Sequence, residues 1–241
     1  MIRVKNLTKD FGRRRGVFDL SFELEDGEVF GYLGPDGAGK TTTIRQLMGF
    51  ASPSRGRCFI NGKNCHVKAE KIREFTGYLS QETALPEDMT SLGYVRLMAQ
   101  MRGVKSIERA TELAERFELD MDMRIRKLSA EDRKKTAVIC AFMHDPEVLL
   151  LDEPTRGMDS VMRNRFNDLI LEEKGRGKTI FLSSHIFEEV ERTCDRVGMI
   201  KDGILINVDD IAGIRASKKK SYSITFATEQ DALQFVKEEF Q

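Results

Sequence analysis

Val29-Phe30-Gly31-Tyr32-Leu33-Gly34-Pro35-Asp36-Gly37-Ala38-Gly39-Lys40-Thr41-Thr42 passes from an apolar run into a glycine-rich turn. A short run without polar interruption suits a buried strand of a parallel sheet. Gly34-x-x-x-x-Gly39-Lys40-Thr41 is the phosphate-loop pattern. Its glycines let the backbone turn tightly, so that successive N–H groups converge on phosphate oxygens. A helix starting near Gly39 adds its positive dipole end. On this reading Gly34, Pro35, Asp36, Gly37, Ala38 and Gly39 form the cradle of a nucleoside triphosphate. Lys40 neutralises the β and γ phosphates, Thr41 holds magnesium by its hydroxyl, and Thr42 reaches the α phosphate. The bland alternative is a chance strand-to-helix turn. Against it, a strand precedes the loop, and Ile44, Leu47 and Met48 follow at helical spacing, with Gly49 placed as a helix C′ residue. The Asp36 carboxylate would repel phosphate if it pointed inward, so the expectation is that it points away, toward a partner subunit.

Working outward, Val148-Leu149-Leu150-Leu151 is a second fully apolar strand candidate, followed by Asp152-Glu153-Pro154. Side chains leaving the carboxyl end of a parallel strand stand in the ligand crevice. Asp152 then becomes a magnesium-side carboxylate and Glu153 the general base for the attacking water; the alternative is a pair of ordinary turn residues. Thr179-Ile180-Phe181-Leu182 is a third strand candidate, and His185 just beyond it would reach the γ phosphate from the same sheet edge. Upstream, Ile2 and Val4, then Phe18, Leu20, Phe22 and Leu24, alternate as in strands, with a turn signal at Asp26-Gly27. Residues 88–144 read as helical, with Leu92, Val95, Leu97, Met98 and Met101 as one apolar cluster and Ile107, Ala110, Leu113, Ala114 and Phe117 as another. Val197–Ile200 and Ile204–Ile206 flank Lys201-Asp202-Gly203 as a hairpin. Beyond Asn207 the signal weakens to a solvated turn at Lys218–Lys220 and a possible strand at Ser223–Phe226.

The 241 residues suit one large α/β domain, or a core with a small appendage. Lys+Arg and Asp+Glu are both 39, so the formal net charge is zero. That balance gives no support to a binder dominated by nucleic-acid phosphates, and no direct nucleic-acid partner is expected. Cys58, Cys65, Cys140 and Cys194 lack metal or disulfide spacing and read as reduced thiols of a cytoplasmic protein. The first residues lack the apolar core of a signal peptide. No apolar stretch approaches the roughly 18 residues a bilayer span needs, so any membrane part is expected from another chain.

In the order of these motifs, over residues 1–208, the chain resembles the nucleotide-binding subunit of an ABC transporter. Gly77-Tyr78-Leu79-Ser80-Gln81 matches the Q-loop, with Gln81 at the glutamine. Leu128-Ser129-Ala130-Glu131-Asp132-Arg133 matches the signature segment. Val148 to Asp152 matches Walker B, with Glu153 as the catalytic glutamate. Gly157-Met158-Asp159 matches the D-loop and His185 the H-loop histidine. Phe11, ahead of the first long strand, matches the aromatic that stacks on adenine. The segments Asp26–Gly31 and Ser183-Ser184-His185 look most like exporters of drug-resistance type. The resemblance implies an α/β P-loop NTPase fold with a RecA-like core, an antiparallel β subdomain and an inserted α-helical subdomain at about residues 88–145, leaving 209–241 as a small C-terminal accessory segment. It implies ATP and Mg²⁺ as ligands, with Thr41, Gln81 and Asp152 at the metal, and Lys40, Gln81, Glu153 and His185 in catalysis. It also implies two such chains, alike or different, sandwiching ATP head to tail, so that Ser129 and Asp159 reach nucleotide across the interface. A separate integral membrane permease would sit on a groove coupled to Gln81, placing the subunit at the cytoplasmic face of the membrane. The alternative is an ABC ATPase of weak turnover acting in regulation or on nucleic acid or ribosomes.

One motif departs from the pattern. The family's Leu-Ser-Gly-Gly-Gln is Leu-Ser-Ala-Glu-Asp here. Two carboxylates would approach a triphosphate, and one like-charge contact at about 4 Å costs on the order of 4 kcal/mol at an effective dielectric near 20. Ser129 survives, and Lys127, Arg133, Lys134 and Lys135 stand nearby to offset the repulsion. The expectation is an asymmetric pairing: an intact nucleotide half, and a compromised half lent to the partner.

Overall fold

In the computed structural model, which describes residues 1–217 and Phe226, the chain begins with two paired nine-residue strands, β1 (Ile2–Asp10) and β2 (Gly16–Leu24). β3 (Val29–Leu33) leads into helix α1 (Lys40–Leu47). Next come β4 (Arg55–Ile60), β5 (Lys63–Asn64), α2 (Ala69–Phe75) and β6 (Thr76–Leu79). The helical stretch holds α3 (Ser91–Met101), α4 (Glu108–Arg116), a 3-10 turn (Ile125–Lys127) and α5 (Ala130–Phe142). The remainder is β7 (Val148–Asp152), α6 (Ser160–Gly175), β8 (Thr179–Ser184), α7 (Phe187–Thr193), β9 (Arg196–Lys201), β10 (Ile204–Asp210) and α8 (Ile211–Ser217). Two compact units divide the chain, Met1–Ile211 and Ala212–Gln241. The expected turn at Lys218–Lys220, the strand at Ser223–Phe226 and most of the expected accessory segment lie outside the described residues.

Two sheets build the first unit. One is antiparallel, in the order β2-β1-β4-β5; the other runs β10-β9-β3-β8-β7-β6. β3, β8, β7 and β6 pair in parallel, so their carboxyl ends share one edge. β7 and β8 are buried throughout, which explains their apolar runs Val148–Leu151 and Ile180–Leu182. The sheets meet at an aromatic stack. Phe22 of β2 lies 5.6 Å from Phe30 and 5.9 Å from Phe181, ring centre to ring centre, and Tyr32 lies 5.2 Å from Phe181. Each such buried ring contributes roughly 1.5–3 kcal/mol over exposure. The stack fixes β3 and β8 beneath the loops that follow them.

The structure corrects the sequence in three places. Leu97 and Met101 are 39% and 73% exposed rather than core, because α3 buries Val95 and Ala99, one turn apart, and residues two positions further on face outward. Phe11 lies after the first long strand, in the β1–β2 connection, and not ahead of it. Helices α2, α6 and α7 and strands β4 to β6 went unpredicted. All four cysteines are buried free thiols. No described helix is long and apolar enough to cross a membrane.

Candidate active site

The loop between β3 and α1 is shaped by packing as much as by φ. A Cβ on Gly34 would lie 2.3 Å from the Ile200 carbonyl oxygen, so this position is glycine for want of space. Gly39, at φ +106°, caps α1 in a conformation that side chains disfavour, and its own Cβ would strike Val17 at 2.6 Å. Gly34 N–H donates to the Ser184 carbonyl (3.1 Å), tying the loop to the end of β8.

Lys40 is 5% exposed. Its Nζ donates to the carbonyls of Gly34 (2.7 Å) and Pro35 (3.0 Å) and pairs with Glu153 Oε1 at 2.9 Å. Glu153, at the end of β7, adopts a positive φ of 43° and is 3% exposed. Its other oxygen meets His185 Nδ1 at 3.1 Å and Arg156 Nη1 at 3.2 Å. Burial works to raise the Glu153 pKa, but the Lys40 hydrogen bond and charge, with His185, outweigh it and hold the carboxyl below its ordinary value. Beneath it, Ser183 Oγ donates to Asp152 Oδ1 (2.7 Å) and accepts from Glu153 N–H (2.9 Å). One hydroxyl therefore ties the Asp152 carboxylate to the Glu153 backbone. Asp152 is fully buried, and its Oδ2 has no hydrogen-bond partner. Across the loop, Thr41 Oγ1 donates to Gln81 Oε1 at 3.3 Å.

These groups surround a cleft of about 550 Å³ lined by Phe11, Asp36, Lys40, Thr41, Gln81 and Glu153, with Gly37, Gly39 and Thr42 on its floor. Phe11 stands at the far end, 53% exposed, with Lys9 Nζ 5.3 Å from its ring centre. His185 does not line the cleft itself and meets it through Glu153. Ala38 is buried beneath the loop and Pro35 is exposed. Asp36 breaks the expectation that it points away. Its carboxylate lies within 4.8 Å of ligand atoms of Glu153 and His185 and faces the Arg156 guanidinium at 3.4 Å. The local cation draws it over the loop.

Ser129 and Asp159 do not line this cleft. Ser129 caps α5: its Oγ accepts from Asp132 N–H (3.0 Å) and donates to Asp132 Oδ2 (2.8 Å). Asp159 caps α6, accepting from Met162 N–H at 2.7 Å, and its own N–H reaches Glu131 Oε2 at 3.4 Å. The two signature carboxylates share one cation. Lys135 Nζ lies 3.1 Å from Glu131 and 3.0 Å from Asp132. Burial works to raise the Asp132 pKa, yet Lys135 and Ser129 bring it below its ordinary value. Lys134 points elsewhere. It is 4% exposed and donates to the carbonyls of Ser80 (3.0 Å) and Gln81 (3.3 Å), while burial pushes its pKa down to about 8 against the pull of Asp152 and Glu153.

A phosphate-loop lysine and a strand-end glutamate face each other across a cleft, and the comparisons agree with that geometry. Residues 17–156 match the family model described as ABC transporter. The chain belongs to the ABC transporter family. An uncharacterised ABC transporter ATP-binding protein of Methanocaldococcus jannaschii is 35% identical over 88% of this chain and 79% of its own length. The bacitracin transport ATP-binding protein of Bacillus licheniformis is 29% identical, across all of this chain and 79% of that protein. Among solved structures, an ATP-binding subunit of an ABC transporter superposes with a TM-score of 0.82 at 28% identity, covering 90% of this chain and 92% of the other. This ABC subunit is accordingly an ATPase that binds ATP and acts in transport. No site role was read from sequence for Ser183, nor for Arg14, Arg15, Arg156 and Asp202, which line the cleft, and Lys134 was expected beside the signature charges rather than on the carbonyls of Ser80 and Gln81. Ser183 is the register partner of Asp152 on the neighbouring strand, 31 positions away, so only the pairing of β7 with β8 brings it to the site.

Proposed function

We propose that this subunit hydrolyses Mg²⁺-ATP at the Lys40–Glu153 cleft to drive export through a separate integral membrane permease, at the cytoplasmic face of the membrane. The observation that carries the reading is the buried Lys40–Glu153 pair, 2.9 Å long, at the mouth of α1. Lys40 hands its charge from Glu153 to the β and γ phosphates as the triphosphate enters. Glu153, thereby released, takes a proton from the attacking water, and His185, held by its Nδ1 on Glu153 Oε2, turns to donate to the γ phosphate.

Magnesium fits the oxygen donors present. Asp152 Oδ2 is buried without a partner, and Thr41 Oγ1 and Gln81 Oε1 are hard ligands beside the loop. When bound, the ion supplies charge neutralisation at the phosphates. Ser183 holds Asp152 and Glu153 at their relative positions, and Phe11 offers a ring for the base. The dimeric arrangement would bring Ser129 and Asp159 of one subunit to the nucleotide of another. The permease would sit on a second cleft beside the Gln81 loop, lined by Phe50, Tyr78, Leu85, Tyr94 and Met98. Export is favoured by relatives named for bacitracin transport, linearmycin resistance and Nod factor export.

Glu153→Gln tests the reading. The expected result is retained ATP binding, with turnover lowered about 10²- to 10⁴-fold, the usual span of general-base catalysis. Unchanged phosphate release from the variant would remove Glu153 from the mechanism.

A further inference from the structure

Arg156 has no part in the chemistry above, yet it lines the nucleotide cleft and also the neighbouring cleft beside Leu128 and Ala130. Its backbone is anchored. Arg156 N–H donates to the Glu153 carbonyl (3.2 Å), and the adjacent Thr155 hydroxyl contacts the buried Glu189 carboxylate at 2.8 Å. Its side chain is 44% exposed and reaches back over the cleft. Nη1 lies 3.2 Å from Glu153 Oε2, while Nη1 and Nη2 each lie 3.4 Å from one oxygen of Asp36. The fork thus straddles the phosphate loop and the end of β7, at the side of Glu153 opposite Lys40.

Both contacts to Asp36 are long for charge-assisted hydrogen bonds, which run about 2.7–2.9 Å. A guanidinium is planar and suits two oxygens of one phosphate, an acceptor better than the loosely held carboxylate. A γ phosphate placed where Lys40 and Glu153 meet lies within reach of this fork. The same phosphate repels Asp36, which frees the arginine further.

We propose that Arg156 is a γ-phosphate-sensing residue: its guanidinium, held here on Asp36 and Glu153, moves to the γ phosphate of a bound triphosphate and finds no such partner when a diphosphate is bound. This rests on the ATPase reading of the cleft. Asp36 is then the resting place of the arginine, and the pair biases the site toward triphosphate.

The test compares binding of Mg²⁺-ADP and of Mg²⁺-adenylyl imidodiphosphate, which is not hydrolysed, to the full chain by calorimetry. For Arg156→Gln the expectation is about tenfold weaker triphosphate binding, in the range of a lost hydrogen bond to a charged group, with the diphosphate changed less than about twofold. Arg156→Lys should fall between, because it keeps the charge and loses the fork. Asp36→Asn, which removes the competing carboxylate, should strengthen triphosphate binding more than diphosphate binding, and if Arg156→Gln fails to fold, the selective loss of triphosphate affinity in Arg156→Lys decides the matter. Equal losses for both nucleotides in Arg156→Gln, or an unchanged triphosphate affinity in Asp36→Asn, would overturn the proposal. A wild-type chain that binds neither nucleotide would instead overturn the reading on which it rests.

Discussion

At the mouth of α1 one lysine is shared by two carbonyls and a glutamate; at the mouth of α5 two carboxylates are shared by one lysine. Both are helix N-termini, and both follow a sequence pattern for phosphate. Their starting charges are opposite. The first presents a cation that a phosphate can claim. The second presents Glu131 and Asp132, which a phosphate repels, while the Ser129 hydroxyl already satisfies an N–H of the helix end that a phosphate would otherwise occupy. The Coulomb cost argued from sequence is reduced here, because Lys135 stands about 3 Å from both carboxylates. The comparison teaches that a departure from a motif must be judged with its neighbours. The signature half is altered, but its charge is compensated within its own helix.

Perturbing each half separately would sharpen this. The largest effect after that of Glu153→Gln is expected for Ser183→Ala, which frees the Asp152 carboxylate from the Glu153 backbone. Outer-shell losses of this kind cost roughly 10- to 100-fold in activity or metal affinity, so ATP turnover measured against magnesium concentration should show a lower kcat and a higher half-saturating magnesium concentration. A variant with normal magnesium dependence would mean that the hydroxyl does not position the Asp152 carboxylate. Next, restoring the signature with Ala130→Gly, Glu131→Gly and Asp132→Gln should raise the ATPase rate of the chain alone by about tenfold, well short of the uncompensated Coulomb figure. If wild type is already as fast, the signature half is not compromised and the contrast fails. Lys135→Ala should act in the opposite direction by a few-fold, more at low salt than at high salt, because it exposes both carboxylates. Insensitivity to salt would assign the compensation to another group.

The smallest effect concerns stability away from both halves. His144 receives a hydrogen bond from Arg102 at 2.9 Å, and burial, aided by Arg102, brings its pKa down to about 4. Its folded pKa is below the ordinary histidine value of 6.5, so the unfolded chain binds the proton first as pH drops. The stability linked to this group is complete above pH 6.5 and is lost as pH falls through about 4. Thermal melts of His144→Gln should show a shallower decline across that window. An identical slope would rule the histidine out.

The fold was legible where the signal was local and strong. The Val29–Leu33 and Val148–Leu151 runs, the loop and the Lys201–Gly203 hairpin all decode within a few residues of themselves. Helix α6 carried Met162, Phe166, Leu169 and Ile170 at helical spacing, interleaved with charged residues that masked the pattern. Strand β6 spans four residues and β5 only two, too few for any period to declare itself. At the site, residue types could be read and orientations could not. The direction of Asp36 depends on Arg156, 120 positions away, and the buried position of Lys134 depends on carbonyls more than 50 positions away. Lys135 is the converse case: it was one of four basic residues near the signature, and its i+3 and i+4 spacing alone suffices to single it out.

Lys134 holds the loop after β6 by the main-chain oxygens of Ser80 and Gln81 rather than by their side chains. Every amino acid at those two positions carries the same oxygens. Descendants of this gene can therefore exchange residue 80 or 81, and with them whatever the loop recognises, without cutting the loop from the helix. Only a change at position 134 would sever the link, so inheritance of the connection and inheritance of the loop's specificity rest on separate codons.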